Sequence, residues 1–265
     1  PVGGTTDYKP PVGGTTDYRP PVGGTTDYKP PVGGVANLPT GPANSFQPNQ
    51  VAGFTTNQMA AFKPEQIAQL APNAVGAFNS QQVGALPPAA FAGMSADQMK
   101  AMPPAAMAGM GAQQFGQLPP SAMAGMGANQ MKELPPAAFA GMGADQMKAM
   151  PAAAMAGMGA EQLGQLPADA FKQMTPDQVK ALPPTAFAGM TPTQLGQLST
   201  TSVKAMATQD IALLTPEAVA GMKLAQAKSM SPAQLGALTK EQVAKMSASV
   251  LSGLSAAQKA AIAKP

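Results

Sequence analysis

Methionine pairs three residues apart recur down this chain, as MKAM at 99–102 and 147–150 and as MAGM at 107–110, 123–126 and 155–158. Two thioethers at helical i, i+3 spacing would suit a soft cation such as Cu(I). Phe, Leu and Val fill the same slots in neighbouring copies, however, and metal ligation does not tolerate such exchanges. Met is also an adaptable filler of irregular cores, so these pairs read as packing and no metal site is expected. Acid–base and nucleophilic catalysis need a poised titrating group beside a nucleophile. The chain has no His and no Cys, which leaves carboxylates, Lys and Tyr. The nearest approach to a catalytic pair is a Lys beside the serines at Ser229 and Ser231, but repeats place similar residues everywhere. The Gly-Gly pairs lack the spacing and the Lys of a phosphate-binding loop. Acidic residues are too few for calcium-binding repeats. The reading is a non-enzymatic protein with no cofactor.

Partners are bounded in the same way. Charged residues make up 11% of the chain and the net charge is +3, too little for the basic track of a nucleic-acid reader. No apolar run reaches the 18 or more residues of a membrane helix, so no membrane insertion is expected. Gly and Pro number 28 and 29, a level that signals low complexity unless a period organises it.

A period does organise it. From Pro39 to Ile262 the 224 residues divide into 28 octads without an insertion or deletion, and the eighth position is always a large apolar residue. The fifth position is large and apolar in 25 of 28, the exceptions being Ala43, Ala227 and Lys259. All 20 Met and all 9 Phe fall on those two positions. Burial sorts residues in this way; disorder does not. The predicted core therefore includes Phe91, Met94, Met99, Met102, Met107, Met110, Phe115 and Leu118.

Octads such as TPDQVKAL (175–182) carry the marks of one short helix: a Thr cap, Pro at the first helical position, an early acid and a late Lys. Asp97/Lys100, Asp145/Lys148, Asp169/Lys172 and Asp177/Lys180 then become i, i+3 neighbours. The apolar stripe would wind about 80° per octad in a continuous helix, and the next Pro blocks continuation. Each octad is therefore a helix of five or six residues plus a turn. Two octad types alternate, one like PPAAFAGM with Ala fourth and often Gly seventh, the other like SADQMKAM with Gln fourth. Gln holds that place in 13 of the 14 second-type octads, from Gln50 to Gln258, and Asp210 replaces it once. Gln98 can close a capping box with Ser95, but Gly111 and Gly143 offer no side-chain cap. The column Gln98, Gln114, Gln130, Gln146, Gln162, Gln178 and Gln194 is expected to bond from coil to coil.

Helices this short need stacking to persist. The expected architecture is an all-α repeat, a narrow α-solenoid of fourteen 16-residue coils with two short helices each. At roughly 8–10 Å per coil it would reach about 110–140 Å. A β-solenoid is the alternative, disfavoured by the i, i+3 spacing and by few β-branched residues. Residues 39–262 form the array and 263–265 a tail. Residues 1–38 are an arm of ten-residue units, PVGGTTDYKP and its copies, whose Pro-Pro junctions favour extended backbone. Tyr8, Tyr18 and Tyr28 are its candidate contacts with a partner or neighbouring copy. Lys259 and Ala43 weaken the apolar pattern in the end octads, as terminal caps do.

The octads TPDQVKAL, TPEAVAGM, TPTQLGQL, SPAQLGAL and TKEQVAKM resemble the Ser/Thr-x-x-Gln-apolar-x-x-Leu repeats of large bacterial surface and secreted adhesin-like proteins. They are also similar to repeat tracts of some marine cyanobacterial exoproteins. The resemblance implies an extracellular or cell-surface location, an extended shape and a structural or adhesive role. The expected function is a rigid rod of a bacterial extracellular fibre or appendage. It would assemble with copies of itself, head to tail through its ends and arm. The alternative is an adhesin-like module holding a peptide, glycan or protein on the solenoid face, with the irregular stretches Ser199–Leu214 and Lys223–Met230 as the place to look.

Overall fold

The computed structural model describes residues 41–263, so the arm with Tyr8, Tyr18 and Tyr28 lies outside the described residues. The described chain is all-helical, one short helix per octad, α in most and 3-10 in five places. The octad 175–182 shows why. The Thr175 side chain accepts the Gln178 N–H at 3.2 Å, Pro176 opens the helix Pro176–Ala181, and Lys180 sits in its last turn. Leu182 is extended (φ −62°, ψ 137°) with its N–H on the Val179 carbonyl. The eighth position of one octad and the first of the next are both extended, and together they make a corner. Of the four predicted acid–Lys pairs, Asp169–Lys172 and Asp177–Lys180 close, the latter at 3.6 Å. Asp97/Lys100 and Asp145/Lys148 do not.

The α-solenoid is present, but its turn is 24 residues and not 16. The helix Pro64–Gln69 packs on Pro88–Gly93, which packs on Ala112–Gln117, then Pro136–Gly141, Ala160–Gln165 and Pro184–Gly189. Substantial pairings among the described elements join octads three apart. A turn therefore has three short sides, and 28 octads make just over nine turns instead of fourteen coils. At roughly 8–10 Å per layer the array is about 75–95 Å long. The correction has a physical cause. The 16-residue period describes which octads are chemically alike, whereas the number of octads per turn is set by what closes around one core. Because three is odd, Ala-type octads stack on Gln-type octads through the middle of the array. Toward its ends Gln58 and Gln234 stand at the other parity, and their octads 55–62 and 231–238 pack on the Gln-type octads 79–86 and 255–262.

The core runs unbroken through the array. Phe91, Met99, Met107 and Phe115 are fully inaccessible, and Met94, Met102, Met110 and Leu118 are at most 2% exposed. All nine Phe and all twenty Met are buried. The fifth position points into the next turn, and the last octads show it: Val243 and Leu251 are only partly covered, and Lys259 is exposed.

Candidate functional site: the glutamine rungs at the corners

The fourth-position Gln does two things at once. Its Oε1 accepts the backbone N–H of the octad's first residue, as from Ser95 to Gln98 at 2.8 Å and from Gly143 to Gln146 at 2.6 Å. Its Nε2 donates to two carbonyls in the octad four earlier, at that octad's fifth and eighth positions. Gln98 thus reaches Ile67 O (2.6 Å) and Leu70 O (2.7 Å), and Gln146 reaches Phe115 O and Leu118 O, both at 2.8 Å. Gln114, Gln130, Gln162, Gln178 and Gln194 repeat this geometry, each to the two equivalent carbonyls. With three octads to a turn, the corner that opens an octad lies above the corner that closed the octad four earlier. The amide therefore staples one turn to the one below, and all seven are at most 7% exposed.

Gly111 and Gly143 lack a side-chain cap, yet the Gln half of the box still forms because it needs only a backbone N–H. Where the first residue is Pro there is no N–H to satisfy, and from Pro87 onward the fourth residue is then Ala. Pro87 with Ala90, Pro103 with Ala106 and Pro135 with Ala138 are examples. At these corners, Pro-first with Ala-fourth and N–H-first with Gln-fourth are two ways of leaving no orphan donor.

Several corners depart from this scheme. Ala71 with Ala74, Thr215 with Ala218 and Ser247 with Val250 keep a first-residue N–H that no fourth-position side chain accepts, and two others substitute a different polar group. Ser202, fully buried, holds the fourth position of 199–206, and its Oγ donates to Met174 O at 2.7 Å, the eighth position of the octad four earlier. Asp210, 5% exposed, accepts the Ala207 N–H at 2.7 Å through Oδ2. Burial pushes its carboxyl up from the ordinary value, against the pull of the Ala207 N–H.

A second contact was not read from the sequence. A Cβ on Gly93 would stand 2.0 Å from Pro64 O, and one on Gly141 1.9 Å from Ala112 O. Seventh-position Gly in the Ala-type octads thus lets two backbones meet between turns. Its signal was the concentration of that Gly in the Ala-type octads, with Gly53 of octad 47–54 as an exception.

The other candidates are accounted for. Met99, Met102, Met107 and Met110 lie in the common core beside Phe91 and Phe115. Ser229 Oγ donates to Gln226 O (2.6 Å) and Thr200 O (3.2 Å), and Ser231 Oγ accepts the Gln234 N–H (3.2 Å). Both hydroxyls serve backbone groups. Two shallow surface recesses, one beside Lys132 and Gln162 and the other beside Lys228 and Gln258, sit at equivalent corners. They are features of the repeat and not unique sites. Among the described residues no group of acids could hold a metal ion, and no helix is long and apolar enough to cross a membrane. No protein-family model matches this chain, and a search of curated proteins returns no match.

Proposed function

We propose that this chain is a non-enzymatic structural rod of a bacterial extracellular fibre or surface appendage, joining copies of itself head to tail. The observation that carries the reading is the pairing of one continuous core with a Gln rung at corner after corner. Each turn is tied to the one below, so the number of repeats sets reach and stiffness. The partly covered apolar positions of octads 239–246 and 247–254 are the surface on which a second copy is proposed to stack. Val243 and Leu251 hold positions that every interior turn covers, and the carbonyls of Val243 and Met246 stand where a further turn would place a Gln amide. A contact of one end on the other is heterologous and propagates. The N-terminal arm is proposed to strengthen that joint through Tyr8, Tyr18 and Tyr28.

Electron microscopy and light scattering across a concentration series test this. Filaments whose length grows with concentration are expected, and removing residues 1–38 should shorten them. Replacing Lys259 by Leu enlarges the apolar end and should promote assembly. Monomers alone at high concentration, for both the native chain and K259L, would overturn the reading.

One observation favours the second reading, an adhesin-like module holding a protein, peptide or glycan. The middle of one column, octads 87–94, 111–118, 135–142, 159–166, 183–190, 207–214 and 231–238, exposes one charged residue, Glu161, while octads 63–70 and 255–262 of the same column carry the exposed Lys63, Glu65 and Lys259. Leu213, 42% exposed, lies on it. Interface centres are depleted of charge, and the column includes part of the irregular stretch Ser199–Leu214. Glycan arrays and pull-downs with L213K as control separate this reading from self-assembly.

A further inference from the structure

Asp210 occupies a place that the neighbouring Gln-type octads fill with a donor. Gln178, Gln194, Gln226 and Gln242 each give an N–H to two carbonyls of the preceding turn. By the same register Asp210 faces Val179 O and Leu182 O, and an ionised carboxylate has nothing to donate to either. Its one side-chain hydrogen bond is the Ala207 N–H on Oδ2. A protonated carboxyl does have a donor, and length is not the obstacle. Ser202, with a shorter side chain, reaches the corresponding eighth-position carbonyl of its own corner at 2.7 Å.

The surroundings give the carboxylate no compensating cation. The helix Thr208–Ala212 packs on Pro184–Gly189 and on Pro232–Leu235, and neither carries a titratable side chain. The octad below, 175–182, has Asp177 and Lys180, which pair with each other in solvent at 3.6 Å. Of the flanking octads, 199–206 contributes the exposed Lys204 and 215–222 contributes Glu217, which meets Lys245 at 3.7 Å. The octad 239–246, whose Gln242 bonds Ile211 O and Leu214 O, adds Lys240, Glu241 and Lys245, all exposed.

We propose that the corner between octads 175–182 and 207–214 is a pH-operated seam in the rod. With Asp210 protonated, its O–H donates to the turn below and the seam closes like a Gln rung; with Asp210 ionised, the seam loosens. The direction follows from burial, which raises the carboxyl above its unfolded value. A group shifted upward holds its full contribution below the unfolded value, about 3.9 for aspartate, and loses it as pH rises through the folded one. The rod is therefore held tight in acid and gains one soft joint toward neutrality, about two-thirds of the way along the array.

Hydrogen exchange read by peptide, as the ratio of wild type to D210Q at each pH, tests this and cancels the intrinsic pH dependence of exchange. Peptides covering 175–190 and 207–214 should be equally protected in the two proteins at about pH 3.5. By pH 7 the wild type should be about tenfold less protected, the equilibrium equivalent of one hydrogen bond. D210N, neutral and a donor, should follow D210Q. Placing the acid elsewhere, as Q146D in the D210Q background, should move the pH-dependent loss to octads 111–118 and 143–150. A ratio that stays flat with pH, or a D210N that loses protection as the wild type does, overturns the proposal.

Discussion

Gln146→Ala removes three hydrogen bonds at a buried corner: Gly143 N–H to Oε1 at 2.6 Å, and Nε2 to Phe115 O and Leu118 O at 2.8 Å each. A typical intramolecular bond contributes about 0.5–1.5 kcal/mol net, and a buried donor left without a partner costs about 1–3 kcal/mol. The carbonyls count at the lower figure, because Ala-type corners such as Ala122 in 119–126 already exist without a Gln. The N–H of Gly143 counts at the higher one. The sum is about 3–4 kcal/mol. The companion variant decides whether this accounting is right. Gly143→Pro with Gln146→Ala rebuilds the corner as the Pro-first, Ala-fourth type and deletes the orphan N–H. Gly143 has φ −87° and Met142 before it is extended (φ −69°, ψ 125°), so a proline there needs only a small adjustment. The double variant should recover about 1–2 kcal/mol of the single loss, and Gly143→Pro alone should be destabilising because it leaves Oε1 without its donor. Urea denaturation followed by far-UV circular dichroism gives the four midpoints of the cycle. Additive effects of the two substitutions would refute the coupling of first and fourth positions.

Gly141→Ala places a methyl 1.9 Å from Ala112 O, against backbone that cannot swing aside; a loss of at least about 2 kcal/mol is expected. A control at Gly143, where an added Cβ meets only the Gln146 amide oxygen at 3.5 Å, should be close to neutral in the same denaturation assay. Since all twenty Met are buried, peroxide should oxidise them slowly in the folded protein and fast in urea, by intact mass; rapid sulfoxide formation under native conditions would contradict the core.

Apolar residues at octad positions five and eight could be read directly because burial is a local demand: a helix of six residues has one face, and those positions define it. Thr175 and Pro176 likewise announce their own cap. The number of octads per turn could not be read locally, since it relates Gln98 to Ile67 and Leu70, some thirty residues away. The 16-residue alternation of PPAAFAGM and SADQMKAM was the strongest periodic signal and suggested the wrong coil. It reports how corners are satisfied, not how many there are. The seventh-position Gly and the pairing of Pro87 with Ala90 held the missing information. Their meaning appears only when an octad is set on the one three places before it.

Two periods that do not divide each other have a consequence for the length of the rod. The chemistry repeats every two octads and the geometry every three, so the Ala-type octads with a seventh-position Gly from Gly93 to Gly221 rest it on the second-position carbonyl of a Gln-type octad. Gly93 on Pro64, Gly125 on Ala96 and Gly157 on Ala128 all obey this. Removing two adjacent octads, residues 135–150, leaves every following octad resting on the same type as before, and a shorter rod should fold with its rungs intact. Removing one octad, residues 135–142, sets the next three on octads of their own kind. Gln-type 143–150 would then lie over Gln-type 111–118, bringing Ala149 toward the Ala112 carbonyl, where Gly141 now sits. Calorimetry should find the first deletion near the parent stability and the second cut into two weakly coupled blocks. Equal melting of the two would mean that the stack does not discriminate between octad types. Growth and loss of repeats in this chain are then quantised at sixteen residues, even though no turn of the molecule has that length.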